Sequence, residues 1–249
     1  MTQRPLIDIT ITATRRPELL DATLSSFSKY LFHTEMPTRV IINVDPAGND
    51  IDSAAVVAVC HRYFSSVFAN CPKSASFPVA FKWVWSQVEA PFVFHLEEDW
   101  VLTRHIDIWA MLDAMYRNPD LAILRLPYRP VTDTSKNWTY FFPWNGEFFE
   151  CPKHIRGTLG FCGHPSLLRF SFVVSVLPHL NTTSNPEKQL KWRNRNIKPI
   201  LDKYRFGVFS EPHQPAAVID IGRRWMIENG WAKKGQKEVF TEWEKVNAK

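Results

Sequence analysis

The sequence predicts an α/β fold in which a mostly parallel central sheet lies between helices. Strand and helix patterns alternate along the first half of the chain, and the segment RVIINVD at 39–45 has a continuous apolar centre. Such alternation is typical of βαβ units. A strand without polar alternation is typical of a parallel strand that is covered on both faces. The 249 residues are enough for one large domain.

The first half of the chain reads as five strands separated by four helices. The opening strand at 6–14, LIDITITAT, is rich in β-branched residues. The helix at 15–32 has a proline in its first turn and repeats leucine and phenylalanine at helical spacing. The later predicted strands are 39–45, 65–72, 91–96 and 121–128, and the later predicted helices are 51–65, 76–90 and 105–118. This order predicts a Rossmann-like sheet.

The second half is less regular. We predict one helix or a strand–helix unit at 167–180, a basic helix at 186–204 and extended chain at 207–222. Because no internal repeat or linker is visible, we expect a single domain over 1–249. Its first half, about 1–130, would carry the regular sheet, and about 131–249 would form an elaborated second half.

The composition favours a soluble protein with an anionic partner. Hydrophobic residues make up 45% of the chain and charged residues 22%, with a net charge of +5 and a pI of about 9.0. This balance suits a nucleotide, a nucleic acid or an anionic membrane surface. Four cysteines without CxxC spacing read as reduced thiols. We see no signal peptide and no run of 18 apolar residues, so we expect a cytoplasmic protein without a transmembrane segment.

Three consecutive acids follow the strand at 91–96. Glu97, Glu98 and Asp99 come directly after the apolar run PFVFHL. In an open parallel sheet, ligands bind beyond the carboxyl ends of the strands, and hard divalent cations prefer carboxylate oxygens. The sequence therefore predicts a metal site at this edge. The alternative is an acidic turn before the helix at 105, where negative charge is favoured near a helix N-terminus.

Three segments together resemble the GT-A glycosyltransferases, and the family-2-like group in particular. They are TATRRPELLDATLSS (12–26), INVDPAGND (42–50) and FVFHLEED (92–99), in the order and spacing of that group. The resemblance covers about residues 6–130. It implies a single GT-A domain whose first half binds a nucleotide-sugar and whose second half binds the acceptor. The sequence departs from the group in having Glu-Glu-Asp where Asp-x-Asp is more common.

The resemblance also implies a cofactor and a set of binding residues. The enzyme would use Mn²⁺ or Mg²⁺ and a nucleotide-diphosphate sugar, with Asp99 as a metal ligand and Glu97 or Glu98 on the donor ribose or a metal-bound water. The residues implied for the nucleotide are Ala13, Thr14, Arg15 and Asp45. For Asp45 the alternative is an Asx turn before Pro46, and for Arg15 it is an exposed position at the helix start.

An inverting transfer needs a carboxylate that takes the proton of the acceptor hydroxyl. In similar enzymes it lies near the start of a helix, roughly 90 residues beyond the acidic motif. Glu187, in SNPEKQL, is 88 residues beyond Asp99 and falls in a first helical turn. Its alternative role is compensation of the helix dipole. Three other carboxylates compete for the role, namely Asp133, Asp202 and Glu211.

The segment HQPAAVIDIGRRW at 213–225 resembles the late strand that supplies a further metal or phosphate contact. It offers His213 or Asp220 as a metal ligand and Arg223 for the diphosphate. An arginine partner for Asp220 is the alternative. The glycine-containing segment GTLGFCGHPSLLR at 157–169 resembles the acceptor-side loop, in which glycines would let the backbone approach the sugar.

The acceptor and the activity each have alternatives. The basic stretch KWRNRNIK at 191–198 could bind a nucleic acid backbone, with Trp192 stacking on a base. The sequence also resembles phage-encoded glycosyltransferases that act on hydroxylated DNA bases, which would place it in the host cytoplasm. A saccharide acceptor in cell-surface glycan synthesis is the alternative. Other classes to consider are a nucleotidyltransferase, although TATRRPE lacks a glycine-rich loop, and a non-catalytic nucleotide-binding module. The oligomeric state is not predicted.

Overall fold

The computed structural model describes residues 6–32, 36, 38–129, 142–159, 163–233 and 243–246. The elements of the first half are β1 (Ile7–Arg15), α1 (Pro17–Tyr30), β2 (Thr38–Gly48), α2 (Ser53–Tyr63), β3 (Val67–Asn70), α3 (Phe77–Ser86), β4 (Phe92–Glu97), β5 (Trp100–Leu102), α4 (Ile108–Arg117) and β6 (Leu121–Arg125). Those of the second half are β7 (Phe149–Glu150), α5 (Arg156–Leu159), β8 (Ser166–Arg169), α6 (Phe170–Val176), α7 (Pro186–Gln189), α8 (Lys198–Lys203), β9 (Arg205–Val208), β10 (Val218–Asp220), α9 (Gly222–Glu228), β11 (Trp231–Lys233) and β12 (Trp243–Lys245).

Eight strands form one central sheet in the order β3-β2-β1-β4-β8-β6-β9-β7. The neighbouring pairs among β3, β2, β1 and β4 are parallel, as is the pair β6–β9. Strand β8 runs antiparallel to both of its neighbours, and β7 runs antiparallel to β9. The prediction of an α/β fold with a mostly parallel central sheet is confirmed. The division into a donor half and an acceptor half stays a prediction.

The central strands are covered by apolar residues on both faces. In β2, Val40, Ile42 and Val44 pack into one hydrophobic cluster, while Ile41 packs into a second. In β4, Phe94 packs into the first of these clusters and Val93 into the second. Successive side chains of a strand point to opposite faces. These two clusters therefore lie on opposite sides of the sheet, which explains the continuous apolar runs in the sequence.

A short antiparallel ribbon lies beside the acidic residues. Strand β5 pairs with β10, with Trp100 opposite Asp220 and Leu102 opposite Val218. The sequence predicted extended chain around β10 but not its partner β5. Because β5 begins directly after Asp99, this pairing brings a segment from the end of the chain to the carboxyl end of β4.

The predicted helix at 186–204 is wrong as a single element. The structure has α7 and α8, with turns at 191–197 between them. Pro199 lies in the first turn of α8, where its missing N–H is tolerated, whereas in a helix interior it would remove a hydrogen bond. At 167–180 the strand–helix alternative is correct, because β8 leads directly into α6.

Candidate active site

The candidate site lies where β1 and β4 end side by side. The two strands are parallel neighbours, with Ile7 opposite Phe92 and Thr12 opposite Glu97. Strand β4 ends at Glu97, while β1 continues beside β2 to Arg15, so the residues after Thr12 and after Glu97 lie at the same edge of the sheet. Charged side chains from two distant parts of the sequence meet there, at the location predicted for a ligand site.

Glu98 is buried and joins the two strand ends. Its Oε1 accepts hydrogen bonds from the backbone N and the Oγ1 of Thr14, at 3.1 and 2.8 Å. The Nε of Arg16 donates to the same oxygen at 3.1 Å, and Nη2 of Arg16 makes a further short contact with it. Only 5% of the Glu98 side chain is exposed. This oxygen is engaged by protein donors, and contact of Glu98 with a donor ribose stays a prediction.

Arg16 is the site residue that the sequence analysis missed. Its guanidinium lies between Glu98 and Asp99, with Nη2 at 3.1 Å from Asp99 Oδ2, and its side chain is 4% exposed. The Cζ atom lies 5.4 Å from the Trp225 ring centroid and 4.7 Å from that of Trp243. The neighbouring carboxylates raise the pKa of Arg16 although burial opposes them. Arg16 therefore stays charged and offsets part of the repulsion between the two acids.

Asp99 and Asp220 are brought together by the β5–β10 ribbon. The backbone N of Ile221 donates to the Asp99 carbonyl at 2.9 Å. A Cβ atom built on Gly222 would lie 2.1 Å from Asp99 Oδ2, so only glycine leaves room for this carboxylate. Burial and the charges of Glu98 and Asp220 raise the pKa of Asp99, while Arg16 opposes the shift.

The pair Asp99 and Asp220 fits a divalent cation. The charge of Asp220 is one of the causes that raise the pKa of Asp99, and a cation between the two carboxylates would offset their repulsion. Mg²⁺ typically takes one or two carboxylates together with substrate phosphates and water. Among the described residues, no group of three His, Cys, Asp or Glu side chains converges as a complete protein site.

The structure separates the two predicted late ligands. Asp220 neighbours Asp99, whereas His213 lies in an exposed turn with φ of 67°. No hydrogen bond or ion pair among the described residues joins His213 to Asp99. Arg223 is 92% exposed and its Nε lies 3.7 Å from Asp220 Oδ2. The arginine partner considered for Asp220 is therefore present, but it is a weak, solvated one.

Glu187 and Glu97 approach each other across Gly163. The backbone N of Gly163 donates to Glu187 Oε1, and a Cβ atom on Gly163 would lie 2.4 Å from Glu97 Oε1. Glu187 lies in the first turn of α7, whose N-cap Asn185 accepts a hydrogen bond from the Glu187 N at 2.8 Å. Two carboxylates from opposite halves of the chain therefore flank one glycine of the predicted acceptor-side loop.

His164 connects this pair to the Asp99 side of the site. Its ring packs edge-on against Trp100 at 5.1 Å and Tyr128 at 4.3 Å between centroids. Burial, together with the charge of Arg125, lowers the pKa of His164 to about 3, although the nearby charges of Glu187 and Asp220 oppose the shift. The imidazole is therefore neutral at pH 7, and it lies within electrostatic range of carboxylates from both parts of the site.

The residues predicted for the nucleotide have partners of their own. Ala13 is buried, Thr14 binds Glu98, and Arg15 Nε donates to Ser53 Oγ at 3.2 Å. Asp45 accepts hydrogen bonds from Asn43 Nδ2 at 2.8 Å and from the Ser76 N at 2.9 Å. Burial raises the pKa of Asp45 to about 6.

These contacts leave the nucleotide roles as predictions and support a structural role for Asp45. Its Oδ1 accepts within β2 from Asn43, and its Oδ2 links β2 to Ser76 at the start of α3. The contact of Asp45 with a base or ribose stays a prediction.

The competing carboxylates lie elsewhere. Asp202 pairs with Lys198 at 2.5 Å and Glu211 is exposed. Asp133 lies outside the described residues. Of the candidates for a base, Glu187 is the one that the described contacts place beside Glu97.

No protein-family profile matches the sequence, and no curated protein matches it. Solved structures do resemble the fold. The mannosyltransferase PcManGT from Pyrobaculum calidifontis, in complex with GDP-Man and Mn²⁺, aligns with a TM-score of 0.58 and 11% identity over 92% of this chain and 62% of that chain. S. aureus TarS 1–349, in complex with UDP-GlcNAc, aligns with a TM-score of 0.57 and 15% identity over 85% of this chain and 57% of that chain. A longer structure of S. aureus TarS aligns with a TM-score of 0.55 and 13% identity over 85% of this chain and 36% of that chain.

These similarities show a shared fold. The chain spans less than two thirds of the length of each of these structures. In the part of the chain that the structure describes, we find no helix whose length and apolar character would let it cross a bilayer.

Proposed function

We propose that the protein is a metal-dependent glycosyltransferase that moves a sugar from a nucleotide-diphosphate sugar to an acceptor hydroxyl with inversion. The observation that supports this most is the convergence of Asp99 and Asp220 with Glu97 and Glu187 at one edge of the sheet, connected by His164 and Gly163. The solved proteins that share the fold bind GDP-Man with Mn²⁺ and UDP-GlcNAc, which agrees with this assignment.

In this proposal Asp99 and Asp220 would hold the divalent cation. Mn²⁺ or Mg²⁺, when bound, supplies positive charge that stabilises the departing diphosphate. Arg16 holds the Asp99 carboxylate through its Oδ2. Arg223, at the start of α9, is almost fully exposed and would turn from its weak pairing with Asp220 toward the diphosphate. Glu97, whose carboxylate lies against Gly163, would contact the donor.

Glu187 acts as the general base. Its carboxylate takes the proton from the acceptor hydroxyl while the hydroxyl oxygen bonds to the anomeric carbon. The bond from that carbon to the diphosphate breaks at the same time, and the nucleoside diphosphate leaves with the bonding electron pair. The hydrogen bond from the Gly163 N orients Oε1 of Glu187, so that Oε2 remains for the acceptor.

For the acceptor we propose a hydroxylated base in DNA. The reason is that α7, which carries the general base Glu187, begins the segment 186–204, which is rich in lysine and arginine. A saccharide acceptor is the alternative. The two are separated by offering hydroxymethylated DNA and oligosaccharides in parallel, with radiolabelled nucleotide-sugars and Mn²⁺, and measuring the label in each product. A released nucleoside diphosphate supports glycosyl transfer, whereas released pyrophosphate would indicate a nucleotidyltransferase.

Glu187→Gln tests the assignment of the base. The amide still accepts a hydrogen bond from the Gly163 N but does not take a proton, so turnover should fall by roughly 10²–10⁴-fold while donor binding is kept. Glu211→Gln, at an exposed competing carboxylate, is the matched control and should keep its activity. Full activity of Glu187→Gln, or a loss of donor affinity that accounts for its defect, would contradict the assignment.

A further inference from the structure

A single basic surface accounts for most of the net charge of the protein. Residues 186–204 contain six lysines and arginines against two acids, a net charge of +4 in a chain whose total is +5. Among these basic residues, Lys188, Arg193, Arg195, Lys198 and Lys203 are exposed. The remainder of the chain is therefore nearly balanced, and the excess of positive charge lies on one segment, which we call the basic surface.

The segment that carries the basic surface begins in the candidate site. It begins at α7, where Glu187 contacts Gly163, and Arg193 and Arg195 follow six and eight positions later in the turns before α8. No ion pair among the described residues involves either arginine, whereas Lys198 is paired with Asp202. These two guanidinium groups are thus available to an anionic partner that reaches Glu187.

Trp192 anchors the basic surface and does not offer a stacking platform. Its backbone N donates to the Gly157 carbonyl at 2.9 Å, and a Cβ atom on Gly157 would lie 2.0 Å from its ring. The Lys198 Nζ lies 5.7 Å from the ring centroid. The ring is therefore packed against the protein backbone, and the predicted stacking of Trp192 on a base is not supported by these contacts.

We infer that the basic surface binds the phosphate backbone of DNA and delivers a base to the site, with Arg193 and Arg195 as the principal phosphate contacts. Guanidinium groups bind phosphate through paired N–H donors. Phosphate contacts position a protein on DNA but do not distinguish one base from another. Binding should therefore be largely independent of sequence and strongly dependent on salt. That the bound DNA is also the acceptor rests on the proposed function, whereas binding itself does not.

The test measures binding without donor or metal. A fluorescently labelled, unmodified 20-base-pair duplex is titrated with the full chain, and anisotropy is recorded at 50 to 200 mM salt. We expect Arg193→Gln/Arg195→Gln to weaken binding roughly tenfold and to make the slope of log K against log[salt] shallower by about 2. Arg193→Lys/Arg195→Lys should keep most of the affinity, because the charge is retained.

Lys29→Gln/Arg62→Gln removes two exposed positive charges from α1 and α2, of which Arg62 is paired with Asp21 at 3.1 Å. It is the control for the loss of net charge and is expected to bind like the wild type. No binding of DNA at 50 mM salt, or an equal loss in the control, would overturn the inference. So would binding of dextran sulfate with no binding of DNA, since the partner would then be an anionic saccharide. If DNA binding needs both arginines but no sugar is transferred to hydroxymethylated DNA, the inference that the basic surface binds DNA is supported. The proposal that DNA is the acceptor would then be wrong.

Discussion

Replacing Arg16 by methionine should destabilise the protein more than a surface substitution does. Methionine keeps an apolar stem of similar length but removes the guanidinium that touches Glu98 and Asp99. The Arg16 and Glu98 side chains are only 4% and 5% exposed, so the loss leaves a buried carboxylate without its counter-charge. Breaking a buried pair in this way costs about 3–5 kcal/mol.

That cost is a large fraction of a typical free energy of unfolding of about 5–15 kcal/mol. In a domain of this size, 1 kcal/mol corresponds to roughly 2–4 °C in Tm, so Arg16→Met should melt roughly 6–20 °C below the wild type. Urea unfolding followed by far-UV circular dichroism gives the free energy directly. Adding Glu98→Gln should recover part of the loss, because a neutral amide needs no counter-charge and still accepts the hydrogen bonds from Thr14.

Arg39→Met is the control at the opposite end of β1. Arg39 donates to the buried Asp8 at 2.9 Å, and Asp8 also accepts hydrogen bonds from the Glu89 and Ala90 N atoms. This variant should lose stability but keep its response to Mn²⁺. A loss below about 1 kcal/mol in Arg16→Met, or a double variant no more stable than the single one, would refute the role given to Arg16.

Two further predictions follow from the packing and protonation of single residues. Gly222→Ala pushes a Cβ against Asp99 Oδ2 and should displace the carboxylate. Because a displacement of about 1 Å can cost roughly 10²-fold in turnover, activity should fall by that order. The free energy of unfolding should fall by less than about 3 kcal/mol. Gly207→Ala is the control, because its Cβ would lie 2.5 Å from the Phe148 ring in the core. It should lose stability with no specific effect on the Mn²⁺ dependence of turnover. Equal Mn²⁺ responses in the two variants would contradict the close approach of Gly222 to Asp99. Asp45 has a folded pKa raised from 3.8 to about 6, so its ionisation destabilises the native state as the pH rises between these values. The wild type should therefore lose about 2–3 kcal/mol relative to Asp45→Asn between pH 4 and pH 7 in urea unfolding, and a constant difference would be inconsistent with the shift.

The sequence analysis recovered the regular half of the sheet because local patterns determine it. The strands around Ile9, Ile42 and Phe94 alternate with amphipathic helices, and each element can be recognised from its own residues. The β5–β10 ribbon could not be recognised in this way. Strand β5 has three residues, and its partner lies more than one hundred positions later in the chain.

The candidate site was recovered in part. The acids after β4 and Glu187 were found from their position after a strand and at a helix start. Which of the three acids is buried depends on Arg16, whose contact with Glu98 spans 82 positions. A signal was present in the pair Arg15-Arg16 before a helix start, where a cation opposes the helix dipole and needs an anionic partner. The break within 186–204 could have been predicted from Pro199.

The most direct test of the proposed activity is thermal unfolding with nucleotide-diphosphate sugars, with and without Mn²⁺, in the wild type and in Asp99→Asn. At a donor concentration of about 100 times the Kd, binding stabilises the native state by about 2.7 kcal/mol, or roughly 5–11 °C in Tm. We predict this rise for at least one donor only when Mn²⁺ is present, and its loss in Asp99→Asn. No Mn²⁺-dependent rise with any GDP-, UDP-, ADP-, CDP- or dTDP-sugar, or an equal rise in Asp99→Asn, would contradict the account.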